Sequence, residues 1–489
     1  MFGYAKYTMN IWQFVVQVTV ILNSFKCIQS FPDEDPEDTT GYVDDEGPEV
    51  TTGYVPVYDE YKKVLAQVLF RHGDRSPVHS YANDEYTEAD WPQGYGQLSI
   101  KGMQQEYVLG AFLRERYTSC QGLTINEESC LKLLSEDYKR AEVYVRSTSY
   151  DRTLMSAYSV LSALFPPPFR EQDTSSMGSA ELFSVWQPIP VHTVPMEEDY
   201  LLGIGKCEMF NKLMNETLMN LTNPRMQEML SEYSELFAHV AEHSGEPNSV
   251  KGMDKVLDPL FCEYVSQDTG KTLPSWVRED TDVLGQLLEL RDMYAEFSVP
   301  GTFAYLKGGS LLKEMINHMI GKVNDTVAQR LFLYSAHDTT VIALLQTMGL
   351  FNYKAPPYTA CILVELLEKD SDYFVQILYR NDSNSEPYVI EINDCGTKCP
   401  LQMFVDKYLP SLPENIVEAC RGTGLNNVNE YVTNYVNENL SPVTVLNVIL
   451  ASVIVLTLIS FLICYFFKET SGRSSAKYMP VPTEMSDLS

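Results

Sequence analysis

Val64-Leu65-Ala66-Gln67-Val68-Leu69-Phe70 is an apolar run that stops at Arg71-His72-Gly73-Asp74-Arg75-Ser76-Pro77. A short, partly β-branched run of this kind reads as a buried strand. Two arginines and a histidine on a turn at its end are costly to bury unless something compensates their charge. A bound anion would do so, and the arginine fork matches phosphate geometry. Gly73 allows the tight turn. A neutral imidazole held among such cations is a nucleophile suited to phosphorus.

Two later stretches repeat the pattern of a strand running into polar chemistry. Glu142-Val143-Tyr144-Val145-Arg146-Ser147-Thr148 precedes a helical pattern from 151 to 165, with Leu154, Met155, Tyr158, Leu161 and Leu164 expected inward. Arg330-Leu331-Phe332-Leu333-Tyr334-Ser335 reads as a third strand, ending at His337-Asp338, with a helix from 339 to 348 after it. Residues 360–367 and 373–379 are two more strand patterns, able to pair as a hairpin. In an open α/β sheet the C-terminal strand ends share one edge, where ligands bind. That rule gathers Arg71, His72, Arg75, Arg146, His337 and Asp338 into one pocket.

Arg71-His72-Gly73-Asp74-Arg75-Ser76-Pro77 resembles the RHGxRxP signature of the histidine acid phosphatases, and Ser335-Ala336-His337-Asp338-Thr339-Thr340 resembles their HD motif. The resemblance spans residues 60–420, with the prostatic, lysosomal and testicular types nearest. It implies a phosphoglycerate mutase-like α/β sheet flanked by helices, with an inserted helical cap. The core would be 61–199 and 328–432, and the cap 200–327. It implies hydrolysis of phosphate monoesters at acidic pH: His72 as nucleophile, Asp338 as proton donor, and Arg71, Arg75, Arg146 and His337 on the phosphate. No cofactor and no metal are expected. Asp74, His79 and His192 are read as structural.

Between these motifs, Ser99 is placed to cap a helix ending near Tyr117, with Met103, Tyr107, Val108, Ala111 and Phe112 at helical spacing. Gly110 interrupts that pattern. His239-Val240-Ala241-Glu242-His243 matches an HxxEH zinc-protease motif, but Ser244-Gly245-Glu246-Pro247 ends the helix there, and a solvated helix end is the favoured reading. Two functions compete with the phosphatase reading: that zinc peptidase, and a non-catalytic receptor on the same fold. Intact His72 and Asp338 argue against the receptor.

Acidic residues number 66 against 36 basic, a net charge of −30 in 489 residues, which argues against nucleic acid as a partner. An anion site on such a surface must be a local island of positive charge. Residues 1–30 have a lysine followed by a short apolar core, as in a signal peptide, with cleavage expected near Ser30. Residues 31–60 form an acidic, proline-containing leader expected to be disordered. Residues 443–467 carry no charge and are long enough to span a bilayer, and the basic residues after them place the tail, 468–489, in the cytoplasm. The expected topology is single-pass type I, with the active site lumenal or extracellular, in the lysosome or at the plasma membrane. Tyr478-Met479-Pro480-Val481 fits an endocytic adaptor motif. Expected partners are phosphate monoesters, the membrane through that one helix, an adaptor at Tyr478, and a second copy of the chain in a homodimer.

Setting aside Cys27 and Cys464, eight of the ten cysteines fall in the expected ectodomain, an even number in an oxidising compartment. Spacing alone does not fix the partners. The resemblance implies Cys207–Cys420, Cys262–Cys361 and Cys395–Cys399, and Cys120 and Cys130 are expected to pair locally. Asn215, Asn220, Asn324 and Asn381 open glycosylation sequons.

Overall fold

The computed structural model describes residues 61–119, 132–167, 186–203, 205–219, 224–267, 270–381 and 385–422. The expected signal segment, leader, membrane span, tail, Cys120–Cys130 pair and Asn220 lie outside these residues. Among the described residues no helix is long and apolar enough to cross a membrane.

The elements, in chain order, are β1 (Lys62–Arg71), α1 (Ile100–Thr118), β2 (Val143–Ser147) and α2 (Asp151–Leu164). A run of helices follows: α3 (Glu208–Met219), α4 (Pro224–Glu232), α5 (Ser234–Ser244), α6 (Val250–Val265), α7 (Thr281–Ser298) and α8 (Tyr305–Val323). The chain then returns to the sheet through β3 (Leu331–Ala336), α9 (Asp338–Met348), β4 (Cys361–Lys369), β5 (Asp372–Arg380), β6 (Tyr388–Ile390) and β7 (Cys399–Pro400), and finishes with α10 (Leu401–Tyr408) and α11 (Ile416–Arg421).

The sheet order is β2-β3-β1-β4-β5-β6, with β7 beside β5. β2, β3 and β1 are parallel, and β4 and β5 form the antiparallel hairpin that extends them. Registers Arg71↔Ala336 and Arg146↔Tyr334 bring three strand ends to one edge. Covering both faces accounts for the continuous apolar run of β1, which a half-exposed strand would replace with alternation. Leu65 and Leu69 face one core with α8 and α9, and Ala66, Val68 and Phe70 face the other with α1 and α2. A third core, including Met229, Leu236, Val256, Leu260 and Leu290, joins the helices α4 to α7. α8 belongs to the sheet's core rather than to this helical layer, because Leu311, Leu312, Met315 and Ile316 pack with β1 and β3.

The inward face of α1 differs from the expected one. Tyr107 and Val108 are exposed, while Gly102, Glu106, Leu109, Gly110 and Leu113 are buried. The glycines set this face. A methyl at Gly102 would sit 2.2 Å from the Asp74 carbonyl oxygen, and one at Gly110 would sit 2.1 Å from that of Val160. Backbone contact, not side-chain bulk, decides which side of α1 meets α2 and the loop after β1. α2 likewise buries Thr153, Ser156 and Ala157, and leaves Tyr158 exposed.

Cys207–Cys420 and Cys395–Cys399 are disulfides. Cys262 and Cys361 are not: both are free, buried thiols, which corrects the expected pairing. The Cys262 sulfur lies 3.5 Å from Arg75 Nη1 and 3.6 Å from the Tyr358 hydroxyl, whereas Cys361 packs in the apolar core beneath β1 with Phe70 and Leu109. Asn215, Asn324 and Asn381 are exposed, as glycan attachment requires.

Two acids, Glu106 and Glu263, are enclosed with no basic partner at contact distance among the described residues. Glu106 is fully buried, and burial holds its carboxyl well above the usual range. Glu263 is 1% exposed, and burial, then Asp84 and Glu85, push it up to about 9. An unfolded glutamate titrates near ~4.3. Between that pH and about 9 the fold keeps a proton that the unfolded chain has released, so stability falls as pH rises. We expect the melting temperature to be higher at pH 5 than at pH 8, by roughly 3 °C or more. Glu263→Gln should flatten that slope, and scanning calorimetry of both proteins across pH checks it. An unchanged slope would refute the assignment.

Candidate active site

Each strand end delivers its side chains for a local reason. β1 ends at Arg71, whose amide donates to the Ala360 carbonyl, and the chain turns at His72, whose amide donates to Ala336 O. Gly73 makes the turn against Gly102 with no room for a side chain. Asp74 accepts from the Ser99 hydroxyl, while its amide donates to Gln105 Oε1 at 2.9 Å. Ser99 also accepts from the Gly102 amide and so caps α1. Asp74 is thus a structural tie between the loop and the helix that supports it, as read from sequence.

His72 is 2% exposed. Its Nδ1 lies 2.8 Å from the Gly73 carbonyl oxygen, which can only accept, so Nδ1 carries the proton and Nε2 keeps its lone pair. Burial, then Arg71 and Arg75, hold its pKa well below the usual histidine value. The ring is therefore neutral across the mildly acidic range. His337, held at 3.0 Å to the Thr148 hydroxyl through Nε2, has its ring 5.6 Å from that of His72. Burial, then Arg152, lower its pKa as well.

Three arginines converge on the same edge, each with a carboxylate. Arg71 Nη2 lies 2.8 Å from Asp338 Oδ2. Arg75 grips Asp258 of α6 with two bonds, 2.7 and 3.2 Å. Arg146 Nη2 lies 2.9 Å from Asp199 Oδ1. These pairs hold the guanidiniums in place, and burial of each arginine raises the strength of the local field. Asp338 opens α9, directly after the N-cap His337. Burial alone would raise its pKa, but Arg71, Arg75, His337 and the Thr339 amide overcome that and hold the carboxyl well below the usual range.

Five of the six residues expected at the site, Arg71, His72, Arg75, His337 and Asp338, come together; Arg146 reaches the same sheet edge by backbone register, but its side chain turns to Asp199, with Glu314 and Tyr334 nearby, and Arg152 is the arginine that lies against His337. The sequence reading missed Asp258 and Asp199, which orient two of the arginines, and Arg152 and Tyr358. Arg152 projects from α2 over the Tyr150 ring at 4.5 Å, with Nη2 3.5 Å from His337 Nδ1. Burial and Arg75 lower its pKa to about 10, so it remains a cation at working pH. The Tyr358 ring lies under Arg71 at 4.3 Å and 5.9 Å from His72. Asp258 left a trace in the sequence, since it is a charge within the apolar run from Val256 to Phe261. Asp199, in a Pro-rich acidic stretch, left none.

The HxxEH motif is elsewhere. The rings of His239 and His243 pack together at 4.3 Å, both against Trp276, and His243 Nδ1 is 2.8 Å from the His239 carbonyl oxygen. A cavity of about 580 Å³ lined by Ile320, Tyr373, Phe374, Pro400 and Val405 also lies apart and contains none of the site residues. His192 is structural: its backbone pairs with β2 through Val145 and Ser147, and its ring stacks on Tyr144.

Residues 64–380 match the family model described as "Histidine phosphatase superfamily (branch 2)". The chain belongs to this family. It is 38% identical to the prostatic acid phosphatase of Homo sapiens over 372 residues, covering 73% of this chain and 87% of the relative. It is 37% identical to the lysosomal acid phosphatase of Rattus norvegicus over 361 residues, covering 72% and 79%. Among solved structures, the apo phytase of Hafnia alvei superposes with a TM-score of 0.54 at 14% identity, over 74% of this chain and 98% of the phytase, a likeness of fold. As a branch 2 histidine phosphatase, the chain carries its two motif segments within the matched region.

Proposed function

We propose that this histidine phosphatase hydrolyses phosphate monoesters at acidic pH through a phosphohistidine. The observation that carries the reading is the neutral His72 ring, its Nδ1 fixed on Gly73, set among buried arginines. Arg71, Arg75, Arg152 and His337 hold the phosphate oxygens, whereas Arg146, expected there from sequence, is engaged by Asp199. Phosphoryl transfer is dominated by positioning and charge stabilisation, which fixed guanidiniums supply. His72 Nε2 attacks phosphorus, the P–O ester bond breaks, and the leaving oxygen takes a proton. Water then gives a proton to the Asp338 carboxylate as its oxygen attacks the phosphohistidine, the P–N bond breaks with its electron pair returning to His72 Nε2, and inorganic phosphate leaves.

Asp338 delivers the leaving oxygen's proton, yet Arg71 holds it ionised. The arriving phosphate resolves the conflict. Its charge engages Arg71, weakens the hold on Asp338 and favours a protonated carboxyl in the complex. The proton enters with the monoanionic substrate, so acidity is required on the substrate side. Because His72 is lowered, its protonation does not limit activity in the same range. We expect kcat/KM to fall above about pH 6, the second ionisation of a phosphate monoester. The limb should move with that ionisation when substrates of different second pKa are compared, in full-length protein secreted or extracted from membranes, with EDTA present. A limb that ignores the substrate's pKa would overturn this account. Absence of hydrolysis for every monoester would favour the receptor reading.

We further infer an anchored lumenal or extracellular enzyme, from the uncharged segment 443–467 and the basic residues behind it. The lysosomal relatives support an acidic compartment, and Tyr478 is the candidate for adaptor binding.

A further inference from the structure

Arg71 and Arg75 are each matched by a carboxylate, but Arg291, near Arg71 and Asp338, is not. Arg291 projects from α7, in the helical insertion, and its guanidinium carbon lies 3.8 Å from the centre of the Phe261 ring. Among the described residues, no hydrogen bond or ion pair is recorded for its N–H groups. Its sequence neighbour Asp292 is turned to Lys354 instead, at 2.9 Å. Phe261 packs on Tyr358 at 5.8 Å, and Tyr358 in turn lies under Arg71 at 4.3 Å. The result is a ladder of guanidinium, ring, ring, guanidinium, running from the phosphate pocket to the insertion. Arg291 also feels the charges of Arg71 and Asp338, and it is depressed first by burial and then by Arg71. A cation held near other cations, on a chain of net charge −30, with no carboxylate of its own, is placed to meet a ligand charge.

We propose that Arg291, on its Phe261 shelf, is a second anion subsite, which selects phosphate monoesters whose leaving group carries another negative group, a carboxylate or a second phosphate. This deepens the phosphatase reading and rests on it. The position follows from the chemistry. Asp338 protonates the leaving oxygen, so the group that shares its field from the insertion side meets the leaving group rather than the transferred phosphate. Tyr358 and Phe261 offer ring faces to the part between the two anions. Arg152, 3.5 Å from His337 Nδ1 and beside Arg75, serves the transferred phosphate.

The test compares phenyl phosphate with 3-carboxyphenyl phosphate on the full-length chain, in wild type, Arg291→Leu, Arg291→Lys and Arg291→Glu. The ratio of the two kcat/KM values cancels general damage to the enzyme, and its change between variants cancels the substituent's effect on the leaving group. We expect the ratio to fall about ten-fold in Arg291→Leu, mainly through KM, and further in Arg291→Glu, with Arg291→Lys retaining most of it. The preference should also weaken with salt. An equal ratio in all four proteins overturns the subsite and leaves the phosphatase standing. If phenyl phosphate is not hydrolysed at all, the phosphatase reading fails first. Calorimetry with benzylphosphonate and 3-carboxybenzylphosphonate then decides the subsite, and equal wild-type affinities overturn it.

Discussion

His72→Ala lowers kcat for every phosphate monoester by about 10⁴-fold or more, whatever the leaving group. The size follows from the geometry. The ring is enclosed at the end of β1, with one nitrogen spent on Gly73 and the other free to attack. No other imidazole can take over: His337 is held on Thr148 and stands a ring's width away. The arginines remain, so phosphate still binds and KM moves far less than kcat. Alkali-stopped reactions with labelled substrate should trap labelled protein in wild type, stable to base and labile to acid as a phosphohistidine is, and none in the variant. Circular dichroism and the melting curve separate lost chemistry from lost fold. Substantial turnover by a folded His72→Ala protein would end the phosphohistidine reading.

Asp338→Asn has an effect that depends on the leaving group, which makes it the sharper test of proton donation. For phenyl or alkyl phosphates the departing oxygen is basic and needs its proton, so kcat falls about 10³-fold. p-Nitrophenolate leaves without help, so formation of the phosphohistidine from p-nitrophenyl phosphate falls much less, by about ten-fold. Removing the carboxylate also frees Arg71 from its 2.8 Å partner. Binding of the anionic substrate should therefore tighten while turnover slows. Equal losses for both classes of leaving group, in single-turnover measurements, would assign Asp338 to orienting Arg71 and not to proton transfer.

The site was legible because its chemistry sits where strands stop. β1, β2 and β3 are apolar on both faces, and such runs mark themselves. Parallel pairing then brings Arg71, Arg146 and His337 to one edge. What supports the site was less legible. The face of α1 was misread because periodicity counts large side chains, whereas Gly102 and Gly110 act by having none. Asp258 and Asp199 reach their arginines from distant parts of the chain, and no local pattern encodes such a meeting. Cys262 and Cys361 were paired by family likeness alone. Their sulfurs occupy different surroundings, one beside Arg75 and Tyr358, the other in the core under β1.

The enclosed acids Glu106 and Glu263 bear on the chain's passage through a cell. A fold that retains protons is at its loosest where protons are scarce, and it tightens as its surroundings acidify. Local opening is what proteases exploit. A molecule built this way is most easily cut at near-neutral pH and best protected in acidic surroundings. Survival there would then be a property of buried carboxyl groups that take no part in the chemistry, and a variant with normal turnover could still be lost through its lifetime.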